Sequence, residues 1–178
     1  MYKRGLKLEY ITLGGGCFWC LEAVYQLVEG VKSVVSGYSG GFKENPTYSE
    51  VCNETTGHAE VIQIQFDQSK LSLDKILDIF WLIHDPTTLN QQGNDIGTQY
   101  RSVIFYHTEE QKKISLNSIS KAQENFKNPI VTEIKEIDKF YKAEDYHQNY
   151  YNDNPNVPYC AYIVRSKIDK YIKKFGVS

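Results

Sequence analysis

The chain has 178 residues, 41% of them hydrophobic, with 20 Lys and Arg against 22 Asp and Glu and a formal net charge of −2. The length suits one globular domain, residues 1–178, and the charge balance supplies no reason for a nucleic-acid or membrane partner. No run of about 18 apolar residues is present, and Met1-Tyr-Lys-Arg-Gly5 leads into alternating residues rather than an apolar signal core, so the expected location is cytoplasmic.

Residues 7–13 alternate and predict a strand. Gly14-Gly-Gly16 ends it, and Leu21, Val24, Tyr25 and Val28 then share one face of a helix predicted over 17–29 and stopped by Gly30. Val31 to Tyr38 is β-prone and runs into the turn-rich Ser36-Gly-Tyr-Ser-Gly-Gly41. Residues 42–57 read as a loop with room for one helical turn. His58 to Phe66 is the clearest strand, with Glu60 on the same side as Ile62, Ile64 and Phe66. Ser72 caps a helix carrying Leu73, Ile76, Leu77, Phe80 and Ile83 on one side, and His84-Asp-Pro86 closes it.

Residues 86–98 read as a long polar loop, and Tyr100 to Tyr106 as a strand. Thr108 and Gln111 form a capping-box pattern opening a polar helix to about Phe126. Another strand is predicted over 130–137 and a short helix over 143–151, and the Asn- and Pro-rich stretch 152–158 is irregular. A last helix over 166–175 carries Ile168, Tyr171, Ile172 and Phe175 on one face, and Lys167, Lys170, Lys173 and Lys174 on a solvated face. Strands and helices in this order predict an α+β two-layer sandwich, a mixed sheet with packed helices and an irregular C-terminal tail over about 141–162.

Four cysteines in a reducing compartment argue for catalysis or metal rather than a disulfide framework. Cys17 stands where strand turns into helix, in the first helical turn, where free N–H groups and the helix dipole favour a thiolate. Cys17 and Cys20 make a C-x-x-C pair that reads three ways: a redox pair, half of a zinc site, or a nucleophile with Cys20 incidental. Cys52 and Cys160 are solitary, against the two close pairs usual in zinc sites, and bulky Phe18-Trp19 between the cysteines departs from a thioredoxin-like pair. Glu60, on the apolar side of its strand, is expected to be desolvated, with a raised pKa that suits an acid; solvation at a frayed strand start is the alternative. Asp95, Tyr100 and Arg101 lie where the long loop enters a strand, a common place for functional groups, although packing and an ion pair also account for Tyr100 and Arg101. Tyr48 sits in a loop after Pro46. Cys52 reads as a small buried hydrophobe, and Cys160 follows the irregular stretch, on a segment able to travel to a sulfenic acid.

These residues fall in ordered segments: Gly15-Gly-Cys-Phe-Trp19, Gly37-Tyr-Ser-Gly-Gly41, Pro46-Thr-Tyr48, Val51-Cys52, Thr56-Gly-His-Ala-Glu60, His84-Asp-Pro86, Gln92-Gly-Asn-Asp95, Gly97-Thr-Gln-Tyr-Arg-Ser102 and Asp145-Tyr-His-Gln148. From about residue 10 to 160 the chain thereby resembles the A-type peptide methionine sulfoxide reductases. The resemblance implies a ferredoxin-like α+β sandwich and reduction of methionine S-sulfoxide, protein-bound or free. It implies Cys17 as nucleophile on the sulfoxide sulfur, Glu60 as acid, Tyr48 and Tyr100 as donors to the oxygen, and Asp95 at the polar end of the pocket. Phe18 and Trp19 would form the wall for the S-methyl group, with His147 and Tyr159 close by. Cys17 would be left as a sulfenic acid, resolved to a disulfide that thioredoxin reduces, with no bound metal, flavin or nicotinamide, and the enzyme is expected to be a monomer. The single methionine, Met1, fits a repair enzyme that offers itself little damage. Many members have glycine in place of Cys20 and two cysteines near the C-terminus, where this chain has Cys160 alone. Cys160, at the family's Tyr-Cys tail position, is the expected resolving thiol; Cys20 is the alternative, its bond to Cys17 expected to distort the first helical turn. A general C-x-x-C dithiol-disulfide oxidoreductase and a zinc-binding module are the competing functions.

Overall fold

Ile11 and Leu13 are fully buried, while Tyr10 between them and Leu8 is 43% exposed. Thr12 between Ile11 and Leu13 is fully buried as well, so β1 emerges from an exposed start into a second half covered on both faces. The computed structural model describes residues 5–176; Met1 lies outside them. In chain order the elements are β1 (Leu8–Gly14), α1 (Phe18–Tyr25), β2 (Val31–Ser39), α2 (Tyr48–Cys52), β3 (Ala59–Asp67), α3 (Leu73–Ile83), β4 (Gln91–Gln92), β5 (Asp95–Ile96), β6 (Val103–Tyr106), α4 (Glu109–Ala122), β7 (Glu133–Glu136), β8 (Phe140–Lys142), α5 (Tyr150–Asp153) and α6 (Arg165–Phe175).

Six strands form one sheet in the order β7-β6-β1-β3-β2-β8, and β4 and β5 make a separate small ladder. The β6–β7 pair is parallel and the other pairs antiparallel, so the sheet is mixed. Its centre, β6-β1-β3-β2, is built by a β-α-β-β-α-β path through α1 and α3, which is the expected ferredoxin-like arrangement. Register places Ile64 opposite Ile11 and Ile62 opposite Leu13. These side chains share a buried cluster with Leu21 and Val24 of α1, Ile76 and Phe80 of α3, and Ile168 and Tyr171 of α6. A smaller cluster of Ala59, Val61, Val103 and Phe105 covers the opposite face. Ile62→Ala, at a fully buried position, is expected to cost about 3 kcal/mol through lost burial and an unfilled cavity, read as a lowered urea midpoint with an unchanged slope.

Several elements differ from the pattern in the sequence. Helix α1 stops at Tyr25, because Leu27 N and Val28 N donate to Val24 O and Tyr25 O, tight i to i+3 bonds that end the α-helical ladder before Gly30. Residues 98–100 form a 3₁₀ turn, so β6 begins at Val103 and Tyr100 and Arg101 precede it. The loop 86–98 contains the β4–β5 ladder. Strand β8, three residues long, offers too few positions to show a period. Thr108 accepts from Gln111 N, but the Gln111 side chain returns to His107 N, one residue outside the expected box. The helix expected over 143–151 is split into a 3₁₀ turn at Asp145–His147 and α5, because Asn149 between them adopts a left-handed backbone, φ 57°. Cys160, expected on an irregular segment, instead opens a π-helical turn, Cys160–Val164, that runs into α6, and its side chain is fully buried. On α6 itself Ile172 is 38% exposed, at the margin of the apolar face.

Candidate active site

The glycine run lets the chain turn from β1 into α1 against other backbone. Gly16 has φ +90°, and a Cβ there would meet the Gln92 side chain at 2.7 Å. Gly16 N donates to Tyr100 O (3.2 Å), which fixes the 3₁₀ turn beside the start of α1. Cys17 follows as the residue that caps the helix, in extended conformation (ψ 130°) and outside the first turn. It is 8% exposed. Burial pushes its thiol well above the ordinary value, the neighbouring Glu60, Cys20 and Asp95 add to the rise, and the Trp19 N–H opposes it. The helix start is therefore outweighed by desolvation, and resting Cys17 is a thiol rather than the expected thiolate.

Glu60 is 1% exposed and lies in the Ile62, Ile64, Phe66 row of β3, as its two-residue period predicts. Its Oε2 accepts a hydrogen bond from Phe18 N (3.1 Å), so it meets the helix at the residue after Cys17. Burial raises its pKa to about 8; the Phe18 bond opposes this and Asp95 adds to it. At neutral pH the group is mostly the neutral acid.

Tyr48 and Tyr100 are half-buried, and in both burial pushes the phenol upward, with Glu60 adding charge. Tyr48 sits on α2, whose capping box is closed by Thr47 and Glu50. Cys52, at the other end of this helix, is half-exposed and close to the Tyr48 hydroxyl, not the buried hydrophobe expected. The Phe18 ring is fully buried against Tyr38 (5.8 Å) and His147 (5.1 Å). Trp19 stacks on Tyr150 at 3.7 Å, and its Nε1 donates to His147 Nδ1 (3.1 Å). That bond puts the neutral imidazole proton on Nε2, which is buried and has no protein partner. The His147 ring also lies 4.4 Å from Tyr48.

Glu144 was not singled out from the sequence. Its carboxylate accepts from the Tyr38 hydroxyl (3.0 Å) and from Tyr48 N (3.1 Å), tying the C-terminal segment to the tyrosine loop. An acid in the run Ala143-Glu-Asp145 carries no sequence signal for this. Arg101 donates to Thr98 O and Gly57 O (both 2.9 Å) and faces Glu133 at 3.7 Å, so it braces loops.

A cavity of about 350 Å³ opens beside Cys17. Cys20, Asp95 and Tyr159 line it together with Lys167 from α6; Cys160 does not. The Tyr159 hydroxyl donates to Asp95 Oδ2 (2.7 Å) and is 3.7 Å from Cys20 Sγ. A larger cleft of about 750 Å³, lined by Lys70, Lys75 and Phe175 among others, contains none of the candidate catalytic residues. Among the described residues no group of three or more His, Cys, Asp or Glu is placed to hold a metal ion, and no helix is long and apolar enough to cross a membrane.

A thiol at a helix cap, a buried neutral carboxyl beside it and a second thiol in the same cavity define a cysteine-based oxidoreductase. The family model described as peptide methionine sulfoxide reductase matches residues 9–177. Peptide methionine sulfoxide reductase MsrA of Leptospira borgpetersenii serovar Hardjo-bovis is 61% identical over 166 residues, covering 93% of this chain and 94% of the relative. Reduced Mxr1 from Saccharomyces cerevisiae superposes with a TM-score of 0.83 at 37% identity, covering 90% of this chain and 92% of that one. The same yeast protein in complex with Trx2 matches with a TM-score of 0.59 at 28% identity, covering 84% and 88% of the two chains. The chain belongs to the peptide methionine sulfoxide reductase family and is an oxidoreductase that reduces methionine sulfoxide.

Proposed function

We propose that the chain acts as one catalytic unit on the S epimer of methionine sulfoxide, in oxidised proteins and as the free amino acid, with Cys17 as nucleophile and Glu60 as acid. The observation that carries this reading is the buried Glu60 carboxyl, neutral at pH 7 and hydrogen-bonded to the backbone next to Cys17. Cys17 sulfur attacks the substrate sulfur while the Glu60 proton passes to the sulfoxide oxygen. The thiol proton of Cys17 returns to Glu60. Two electrons move to the substrate sulfur, the oxygen moves to Cys17, and the products are methionine and a Cys17 sulfenic acid. Tyr48 and Tyr100 donate to the oxygen, Asp95 orders the polar end, and Phe18, Trp19, His147 and Tyr159 shape the apolar side.

The resolving thiol in this reading is Cys20. It shares the cavity with Cys17, and because Cys17 stands outside the helix, closing the bond need not unwind the first turn, the distortion that favoured Cys160. The fully buried Cys160 would have to leave its π-helical turn to reach solvent. A thioredoxin then reduces the disulfide by exchange, a partner supported by the Mxr1 complex with Trx2. Four unpaired cysteines suit a reducing, cytoplasmic setting, and the chain works as a monomer with no bound cofactor.

The test is a single turnover. Reduced protein, freed of reductant, receives one equivalent of methionine S-sulfoxide, and thiols are alkylated and mapped by mass spectrometry. One methionine per chain, two thiols lost and a Cys17–Cys20 bond are expected. No thiol loss would end the proposal, and a Cys17–Cys160 bond formed first would replace Cys20 as the resolving residue.

A further inference from the structure

The four lysines of α6 look alike in the sequence, and one of them does not behave as a surface lysine. Lys173 and Lys174 are exposed and Lys170 lines the cavity that holds Cys17 and Cys20 while still exposed, but Lys167 lines that cavity half-buried. It makes no ion pair within 4.0 Å among the described residues. Asp95 in the same cavity and Asp85 are the resting charges that offset its partial burial, and a negative charge formed in the cavity during the reaction would be held by the same ammonium.

The hydrogen bonds around Cys20 say which charge that is. The Tyr159 hydroxyl proton is committed to Asp95 Oδ2 at 2.7 Å. In the 3.7 Å contact between Cys20 Sγ and the same hydroxyl, the thiol must therefore be the donor. Cys20, Tyr159 and Asp95 form a directed chain, S–H to O–H to carboxylate. If the thiol proton moves to the Tyr159 oxygen while the tyrosine proton moves to Asp95, the negative charge that sat on Asp95 reappears on Cys20 sulfur. The groups around Cys20 are Cys17 at the cap of α1, Asp95 on β5, Tyr159 and Cys160 before α6, and Lys167 and Lys170 on α6; His84 and Asp85 are further groups within electrostatic reach of Lys167. Burial holds resting Cys20 at about 11, and Lys167 is the foremost influence pulling it down.

We propose that Lys167 is a positioning residue for the second half-reaction, its ammonium in the cavity beside Cys20 stabilising the thiolate formed when the Cys20 proton passes through Tyr159 to Asp95. This rests on Cys20 being the resolving thiol. The thiolate attacks the Cys17 sulfenic sulfur, the S–S bond forms, and the S–O bond breaks. The leaving hydroxide takes up the proton held by Asp95 and departs as water, so the step needs no outside oxidant or reductant.

The experiment follows disulfide formation after a single turnover with methionine S-sulfoxide, in wild-type protein, Lys167→Met and Lys167→Arg, at several pH values. Methionine yield per chain is the internal reference, and dimedone traps unresolved sulfenic acid. In Lys167→Met the Cys17–Cys20 bond is expected to form about tenfold more slowly, dimedone adduct to accumulate on Cys17, and the pH midpoint of the step to rise by about one unit. Lys167→Arg keeps the charge and is expected to restore both rate and midpoint. An unchanged rate and midpoint in Lys167→Met, with the Cys17–Cys20 bond still forming, would overturn the role of Lys167 alone. A wild-type protein that forms Cys17–Cys160 first would instead remove the reading on which it rests.

Discussion

Cys17→Ser is expected to produce no methionine above background from methionine S-sulfoxide, in turnover or in a single cycle, and to lose no thiols. The serine hydroxyl fits the same helix-capping position, so the fold survives, but an alcohol is a far weaker nucleophile toward sulfur and cannot hold the oxygen as a sulfenic acid. Circular dichroism and the urea midpoint serve as controls for folding. A variant that still consumes sulfoxide at the wild-type rate would exclude Cys17 as the group that attacks.

Glu60→Gln is the second large effect. Gln keeps the shape and can still meet Phe18 N with its carbonyl, but it cannot release a proton to the sulfoxide oxygen. The methionine-forming step is expected to slow by about 10²-fold or more, the usual size of general-acid assistance. The wild-type rate of this step should fall as pH rises through about 8, where Glu60 loses its proton, and that falling limb should be absent in Glu60→Gln. Stability carries the same signature. Because burial raises the folded-state pKa of Glu60, its contribution is fully present below the ordinary carboxylate range and is lost as pH rises through about 8. Glu60→Gln should therefore gain stability relative to wild type between pH 6 and pH 9 in paired urea titrations. Equal pH profiles for the two proteins would place the acid elsewhere.

Both residues were legible in the sequence for physical reasons. Three glycines between an apolar strand and a run with helical spacing mark a tight strand-to-helix turn, and Cys17 follows them. Glu60 falls on the inward phase of a strand whose other inward residues are Ile62, Ile64 and Phe66, so period two offered burial beside a solvated strand start, and the structure buries it. The order of elements was legible because strand-like and helix-like runs follow one another along the chain, whereas the ferredoxin-like strand order came only from the family resemblance. What failed was electrostatic or long-range. The helix start suggested a thiolate at Cys17, but its desolvation comes from a place in a core assembled from distant parts of the chain, which no local window contains. Lys167 was grouped with three other lysines because helical period separates faces only coarsely, and the cavity beside Cys20 exists only once Asp95 and Tyr159 are brought there from elsewhere in the chain. Glu144 is a similar case, its two partners lying 106 and 96 residues away. Cys160 looked mobile because Asn and Pro precede it, and its burial comes from the neighbours its helical turn packs against.

The contacts that close the site also have a cost in time. Trp19 meets His147 across 128 residues, and Cys20 meets Tyr159 across 139. Contacts between distant residues form only after the intervening chain has been gathered, whereas the β2–β3 pairing joins residues 20 to 35 apart and closes a much shorter loop. The β2–β3 pair is therefore expected to form before these active-site contacts, which close on the same scale as the β2–β8 pairing. In the interval both thiols of the C-x-x-C pair stand uncovered, without the burial that holds Cys17 as a thiol and the tyrosine that meets Cys20. Chemical control over these sulfurs is thus a late product of folding, and a partly assembled chain is more exposed to stray oxidation than the finished protein.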